Sequence, residues 1–208
     1  MTDDLFLARL QSRLTSLDAI PLQPPYSDFE LNAERPQGWA LKEASVLVPL
    51  IARKTGLSLI LTRRSKAMPT HSGQIAFPGG KRQDEDRDAI ATALREAHEE
   101  IGLDPAHVKV IGVSDPYETG TQFRVTPIVG LVSQEARFVP DPREVDAIFE
   151  IPFAFFMNPD NHQLLEGDYK GQTRQFYAMP YDDYYVWGAT AGMLRALYLR
   201  LFVDAEPA

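Results

Sequence analysis

The sequence predicts an α+β fold in which a β-sheet lies between helices. Three observations carry this: strand-length apolar runs fill the middle of the chain, a patterned helix stands near each end, and one more helix follows a double glycine. Short apolar runs bounded by turn residues mark strands, and apolar residues at helical spacing mark helices. In chain order, Leu5, Leu10, Leu14 and Leu17 predict a helix from about Asp3 to Leu17, stopped by Pro21, Pro24 and Pro25. This helix packs on the domain or on a partner, in the latter case making a homodimer. Val46 to Ile51 and Leu57 to Thr62 predict a hairpin across Lys54-Thr55-Gly56. After the glycine turn and its helix, strands are expected over Val108 to Val113, Val125 to Val132 and Ala147 to Ile151, with shorter ones over Phe176 to Met179 and Tyr184 to Val186. Thr190 is expected to cap a closing helix through Val203, with Leu194, Leu197, Tyr198, Leu201 and Phe202 near helical spacing. Residues 1–40 then form a helix and proline-rich lead-in, and residues 41–204 form one domain.

Composition bounds the partners. A formal charge of -8 argues against a general nucleic-acid surface. Arg63, Arg64, Lys66, Lys81 and Arg82 nevertheless concentrate positive charge on both sides of Gly79-Gly80, which suits an anionic small molecule. No cysteine occurs, so disulfides, thiolate metal sites and cysteine nucleophiles are excluded, and a reducing cytoplasmic location is expected. No uninterrupted apolar run approaches the ~20 residues of a membrane span.

The chemistry-bearing segment runs from Phe77-Pro78-Gly79-Gly80 to Arg95-Glu96-Ala97-His98-Glu99-Glu100-Ile101-Gly102-Leu103. At about 100° per residue, Glu96, Glu99 and Glu100 fall within an arc of about 100° on one helix face. Ile90, Ala93, Leu94, Ala97 and Ile101 cluster on the adjacent face. The helix is expected from about Asp86 to Ile101, with Asp84, Asp86 and Asp88 near its positive end and Gly102 closing it. Three acids this close repel one another, and only Arg95 is at hand to relieve them. Hard oxygen ligands without sulfur suit Mg2+ or Mn2+. Such ions bridge phosphate oxygens and lower the pKa of a bound water, as cleavage of a phosphoanhydride requires. Gly79 and Gly80 let the backbone approach metal or phosphate closely.

These residues resemble the Nudix hydrolases, whose pattern is Gly-x5-Glu-x7-Arg-Glu-U-x-Glu-Glu-x-Gly-U, with U a bulky apolar residue. Arg95 to Leu103 is similar to its second half. One inserted residue between turn and helix aligns Gly80 with the glycine slot and Asp86 with the first glutamate. The resemblance implies an α/β/α sandwich with a mixed sheet, a metal site built by Glu96, Glu99 and Glu100, and an arginine, Arg95, that holds a carboxylate in place.

A second resemblance narrows the substrate. Ile60-Leu61-Thr62-Arg63-Arg64-Ser65, Gly73 and Phe77-Pro78-Gly79-Gly80 are similar to the motif upstream of the box in the coenzyme A diphosphatase branch. Val186-Trp187-Gly188-Ala189-Thr190-Ala191 and Phe123-x-Val125-Thr126-Pro127 resemble further segments of that branch. The match departs at Pro69, where the branch has arginine; His71, Arg63 and Lys66 are candidates to replace it. The resemblance implies hydrolysis of coenzyme A or its derivatives to 3',5'-ADP and 4'-phosphopantetheine, with Arg63, Arg64, His71, Gly73, Phe77, Gly79 and Gly80 around the substrate. A substrate such as ADP-ribose or a dinucleotide, and a nucleotide-binding module without turnover, are the rival readings.

A base must still take a proton from water. Glu96 is either ligand or base, and Glu118 and Glu144 are the other candidates, each weighed against being an idle surface glutamate. Among the histidines only His71 lies in a motif; His98 points away from the carboxylate arc. Trp39 and Trp187 are read as core residues.

Overall fold

The computed structural model describes residues 3–19, 26–32, 38–68, 70–169 and 171–203. Pro21, Pro24, Pro25 and Pro69 lie outside the described residues. The elements in order are α1 (Asp3–Arg13), β1 (Tyr26–Ser27), β2 (Lys42–Arg53), β3 (Gly56–Arg64), β4 (Ile75–Ala76), β5 (Gly79–Lys81) and α2 (Ala89–Ile101). There follow β6 (Val108–Val113), β7 (Tyr117–Glu118), β8 (Phe123–Val132), β9 (Val145–Pro152), α3 (Phe153–Phe156), β10 (Gln163–Tyr169), β11 (Gln172–Tyr181), β12 (Tyr184–Trp187) and α4 (Ala189–Phe202).

The large sheet is mixed. Its strand order is β1-β7-β8-β2-β3-β4, with β5 on β2, β6 on β8 and β9 on β3. β2 pairs with β8, and β1 with β7, in parallel; the other pairings are antiparallel. Strand alternation divides the core. Leu57, Leu59 and Leu61 of β3 join α1, α3 and α4 on one face, and Ile60 joins Ala93, Ala97 and Ile101 of α2 on the other. A separate antiparallel sheet, β10-β11-β12, leads into α4. The α+β reading holds, with a mixed sheet between helices.

Of the two placements expected for the first helix, the structure shows packing on the domain. Phe6 and Leu10 are buried, and each such side chain contributes roughly 1.5–3 kcal/mol. Asp3 accepts a hydrogen bond from the Leu57 N–H, and Arg9 donates to Leu201 O, so both ends of the fold are tied through α1. The helix stops at Arg13 rather than Leu17 because Thr15 bridges backbone to backbone with Val113.

Two more boundaries differ from expectation for stated causes. α2 begins at Ala89, not Asp86: Asp88 caps it by accepting from the Ala91 N–H, while the Asp86 side chain bonds elsewhere. Thr190 does not cap α4; it lies inside the helix and its hydroxyl donates to Ile75 O, while Gly188 holds the cap position. The strand β10 was not expected, since Gln163–Tyr169 is mostly polar or exposed and shows no buried alternation. No helix among the described residues is long and apolar enough to cross a membrane.

Candidate active site

The site lies where α2 passes the backbone of β5. Gly79 and Gly80 are required there by proximity. A Cβ on Gly80 would stand 2.5 Å from Glu96 Oε2, and one on Gly79 would stand 2.5 Å from Ser45 O. Without side chains, the turn lets the Glu96 carboxylate rest against the main chain and aims the Gly79 N–H at Glu100 Oε2, 3.2 Å away.

Arg95 organises one half of the carboxylates. Its Nε and Nη2 each donate to Asp86, at 2.9 Å to Oδ1 and 2.9 Å to Oδ2. Nη1 donates to Glu96 Oε1 at 2.8 Å and to Glu99 Oε2 at 2.9 Å. Asp86 also accepts from the Gln83 N–H and the Thr92 hydroxyl. The Arg95 bonds come first among the causes that hold the Asp86 carboxyl well below its ordinary range, against the opposing effect of burial. The arginine is in turn held protonated, chiefly by Asp86.

Glu100 is the other half. It is 3% exposed, and its charged form is opposed by that burial, which pushes its pKa up to about 8. The Gly79 N–H and Arg64 offset this only in part, with Arg64 Nη1 at 3.7 Å from Oε1. The charges of Glu96 and Glu144 push in the same direction as burial. Glu96 is likewise raised, first by burial, with Arg95 opposing and Glu99 and Glu144 adding.

Glu144 reaches this place through the segment before β9. Val139 and Asp141 donate their N–H groups to Ile101 O and Glu100 O, so the segment folds across the end of α2. The Ser65 N–H donates to Glu144 O at 2.8 Å, fixing the backbone beside β3. Glu118 is placed apart, on β7, and is buried rather than at the surface.

The remaining expected residues separate into two groups. Arg64 faces Glu100, and its Nε is buried without a hydrogen-bond partner. His71 lines a cleft and pairs through Nδ1 with Gln74 Oε1 at 2.9 Å. By contrast Arg63 is exposed on the alternate side of β3, and Lys66 is exposed beyond the strand. Phe77 is buried in the core, where it supports the turn from beneath. Gly73 takes a left-handed φ of 71° and returns its N–H to Arg64 O, so its role is to close the loop. His98 is exposed.

One expectation needs correction. Glu99 is not gathered into a cavity with Glu96 and Glu100; its side chain is 51% exposed and bonded to Arg95. Among the described residues no three acidic or histidine side chains converge closely enough, as disposed, to hold a metal ion. Arg95 instead gathers three carboxylates, those of Asp86, Glu96 and Glu99. The donors still fit a hard divalent cation: they are oxygens only, and burial opposes the charged forms of Glu100 and Glu96 more than their present partners offset it, so a cation beside them would favour ionisation.

A cleft of about 640 Å3 is lined by a different set of residues, none of them a member of this cluster. His71, Ile75 and Ala76 form one side, Thr119 to Thr121 another, and Phe176 and Trp187 present rings packed edge to face at 5.3 Å. Trp187 is therefore a cleft residue as well as a packing one. Asp28, Asn32, Arg174 and Gln175 complete the lining; sequence reasoning missed them because no local pattern marks them. A smaller recess is bounded by Lys42, Lys81 and Arg82 together with Glu43, Gln83 and Asp84.

Comparison with known proteins shows the family. The NUDIX domain family matches residues 41–188. An uncharacterized Nudix hydrolase, NudL, of Klebsiella pneumoniae is 38% identical over 185 residues, covering 88% of this chain and 96% of that protein. NudL of Escherichia coli K12 is 40% identical over 162 residues, covering 78% of this chain and 84% of its own. Among solved structures, the Mycobacterium smegmatis Nudix hydrolase RenU aligns with a TM-score of 0.46 at 19% identity, covering 57% of this chain and 81% of that one. With the family match spanning most of its length and these relatives aligned almost end to end, the chain belongs to the Nudix hydrolase family.

Proposed function

We propose that this chain hydrolyses the diphosphate bond of coenzyme A or a close derivative, giving 3',5'-ADP and 4'-phosphopantetheine. Nudix hydrolases act on nucleoside diphosphate derivatives and generally use divalent cations such as Mg2+ or Mn2+. One observation carries the narrower reading: a single stretch, residues 64–80, serves two places at once. Arg64 and Gly79 meet Glu100, while His71, Ile75 and Ala76 line the cleft. The stretch that resembles the coenzyme A motif thus joins the acidic cluster to a space for the rest of the substrate.

In this proposal Glu96 and Glu100 hold the cation, with Glu99 at the solvent side. The bound ion neutralises charge on the diphosphate and lowers the pKa of water. Arg64 offers its guanidinium to a phosphate oxygen, which relieves a buried donor that costs about 1–3 kcal/mol while unsatisfied. Arg95 keeps Glu96 oriented through Nη1. Glu144 takes the proton from the attacking water, since its charge is felt by both Glu96 and Glu100.

The test is incubation of the chain with coenzyme A and Mn2+ or Mg2+, followed by chromatography of the products. Release of 3',5'-ADP is expected, with Glu144→Gln losing turnover and keeping KM. Pro69 favours a second reading, hydrolysis of ADP-ribose or a dinucleotide, because it stands where the related motif has arginine. Coenzyme A left intact while one of these is cleaved establishes that reading instead. Failure to cleave any diphosphate would leave the chain a binding module.

A further inference from the structure

We infer that the segment Tyr26 to Asn32 is a specificity-determining wall of the substrate cleft and that Asp28 is its positioning residue. The inference rests on the reading above, that the cleft takes the non-reacting part of a diphosphate substrate.

The segment lies upstream of the family match at 41–188. It enters the large sheet through β1, which pairs in parallel with β7. Asp28 then makes three bonds into the same neighbourhood. Its carboxylate accepts from the Tyr117 hydroxyl at 2.8 Å and from the Gly120 N–H at 2.7 Å, and its own N–H donates to Glu118 O at 2.9 Å. Tyr117 is buried, and that burial, reinforced by the charge of Asp28, holds its phenol protonated as a donor. Asp28 therefore fixes the turn Thr119 to Thr121, which faces the cleft.

Asn32 fastens the other end to the small sheet. Its Oδ1 accepts from the Gln175 N–H at 2.9 Å, and its Nδ2 donates to Gln175 O at 3.0 Å and to Asp28 O at 2.7 Å. The side-chain amide thereby exchanges two bonds with one backbone residue, as a neighbouring strand would. The segment is a bracket between β11 and the β7–β8 turn, two parts of the cleft lining that belong to different sheets. Its bonds set how those parts stand to each other, and so which group fits between the Thr119–Thr121 turn and the Phe176 and Trp187 rings. A nucleoside or an amide-bearing chain attached to the diphosphate has the required mixture of apolar surface and polar groups.

The experiment compares the wild type with Asp28→Ala, Asp28→Asn and Asn32→Ala. Each is assayed on coenzyme A and ADP-ribose, and on whichever diphosphate of a wider panel the wild type cleaves fastest. Loss of one or two charge-assisted hydrogen bonds raises KM about tenfold while kcat stays within about twofold. Asp28→Asn falls between, because its oxygen still accepts one bond while its amide faces the second donor. The preference among the substrates also shifts, which loss of stability alone does not cause. Unchanged KM and unchanged preference in all three variants, with only the thermal midpoint lowered, overturns the inference. If Asp28→Ala does not fold, the other two variants decide by the same criteria. Failure of the substrate assignment shows separately, as wild-type inactivity on coenzyme A.

Discussion

Asp86 and Glu100 are the same chemical group at almost the same burial, 6% and 3% exposed, yet their environments drive them in opposite directions. Asp86 receives two bonds from Arg95 and one each from Gln83 and Thr92, and its pKa falls. For Glu100 burial wins: one backbone N–H and a guanidinium at 3.7 Å offset it only in part, and its pKa rises to about 8. The difference separates a completed structural bond from a charge still short of partners. A cation beside Glu96 and Glu100 would supply the missing countercharge and displace the proton that burial favours on Glu100.

The sharpest way to break this comparison is Glu100→Gln. If Glu100 holds the cation, turnover with saturating Mn2+ falls at least about a thousandfold, the scale of several kcal/mol of lost charge stabilisation. Activity close to wild type in a steady-state assay would remove Glu100 from the metal site. Next in size is Asp86→Ala, which leaves Arg95 without its principal partner. Removing one member of a buried pair costs about 3 kcal/mol, to be read as a lowered urea midpoint. An unchanged midpoint would show that Asp86 is not the structural member of the two.

How much of this was legible in the sequence follows from distance along the chain. Glu96, Glu99, Glu100 and the two glycines were legible because helix periodicity and turn chemistry are local rules. The diverging fates of Glu99 and Glu100 were not: both fall on the same predicted arc, and only β5 and Arg95 decide which is buried. Glu118 and Glu144 were equivalent as acids near strands, until the fold carried the Glu144 segment over the end of α2. Arg63 and Phe77 belonged to the motif, yet strand alternation turns the first away and core packing takes the second. Asp28 and Asn32 had no signal at all, since their partners lie 89 and 143 residues away.

The pH dependence of stability sharpens the comparison further. For Glu100 the folded-state pKa is raised from 4.5 to about 8, so the folded chain holds the proton more tightly than the unfolded chain. The resulting stability is complete below about 4.5 and is lost as pH rises toward 8, provided metal is removed by a chelator. Glu100→Gln is therefore more stable than wild type at pH 9 without metal, and equal to it near pH 4. Asp86 behaves oppositely: with its folded pKa lowered from 3.8, its contribution is present above that value and lost as pH falls. Thermal midpoints across pH, with and without Mn2+, measure both. A constant difference between variant and wild type would show that burial of Glu100 costs nothing.

The smallest expected effect comes from Arg95→Lys, which preserves charge and changes only its shape. A lysine ammonium cannot span Asp86, Glu96 and Glu99 together, because the guanidinium does so through a fixed fork of donors. Asp86, the most enclosed of the three, retains the ammonium, and Glu96 and Glu99 are released. Stability then falls by about 1 kcal/mol, the value of one or two partly exposed bonds. The informative reading is metal affinity. Freed from Arg95, Glu96 turns toward Glu100, so Mn2+ binding measured by calorimetry tightens while turnover declines through lost orientation. If binding weakens instead, the guanidinium is positioning Glu96 for the cation rather than competing for it, and Arg95 belongs with Glu100 on the catalytic side of the comparison.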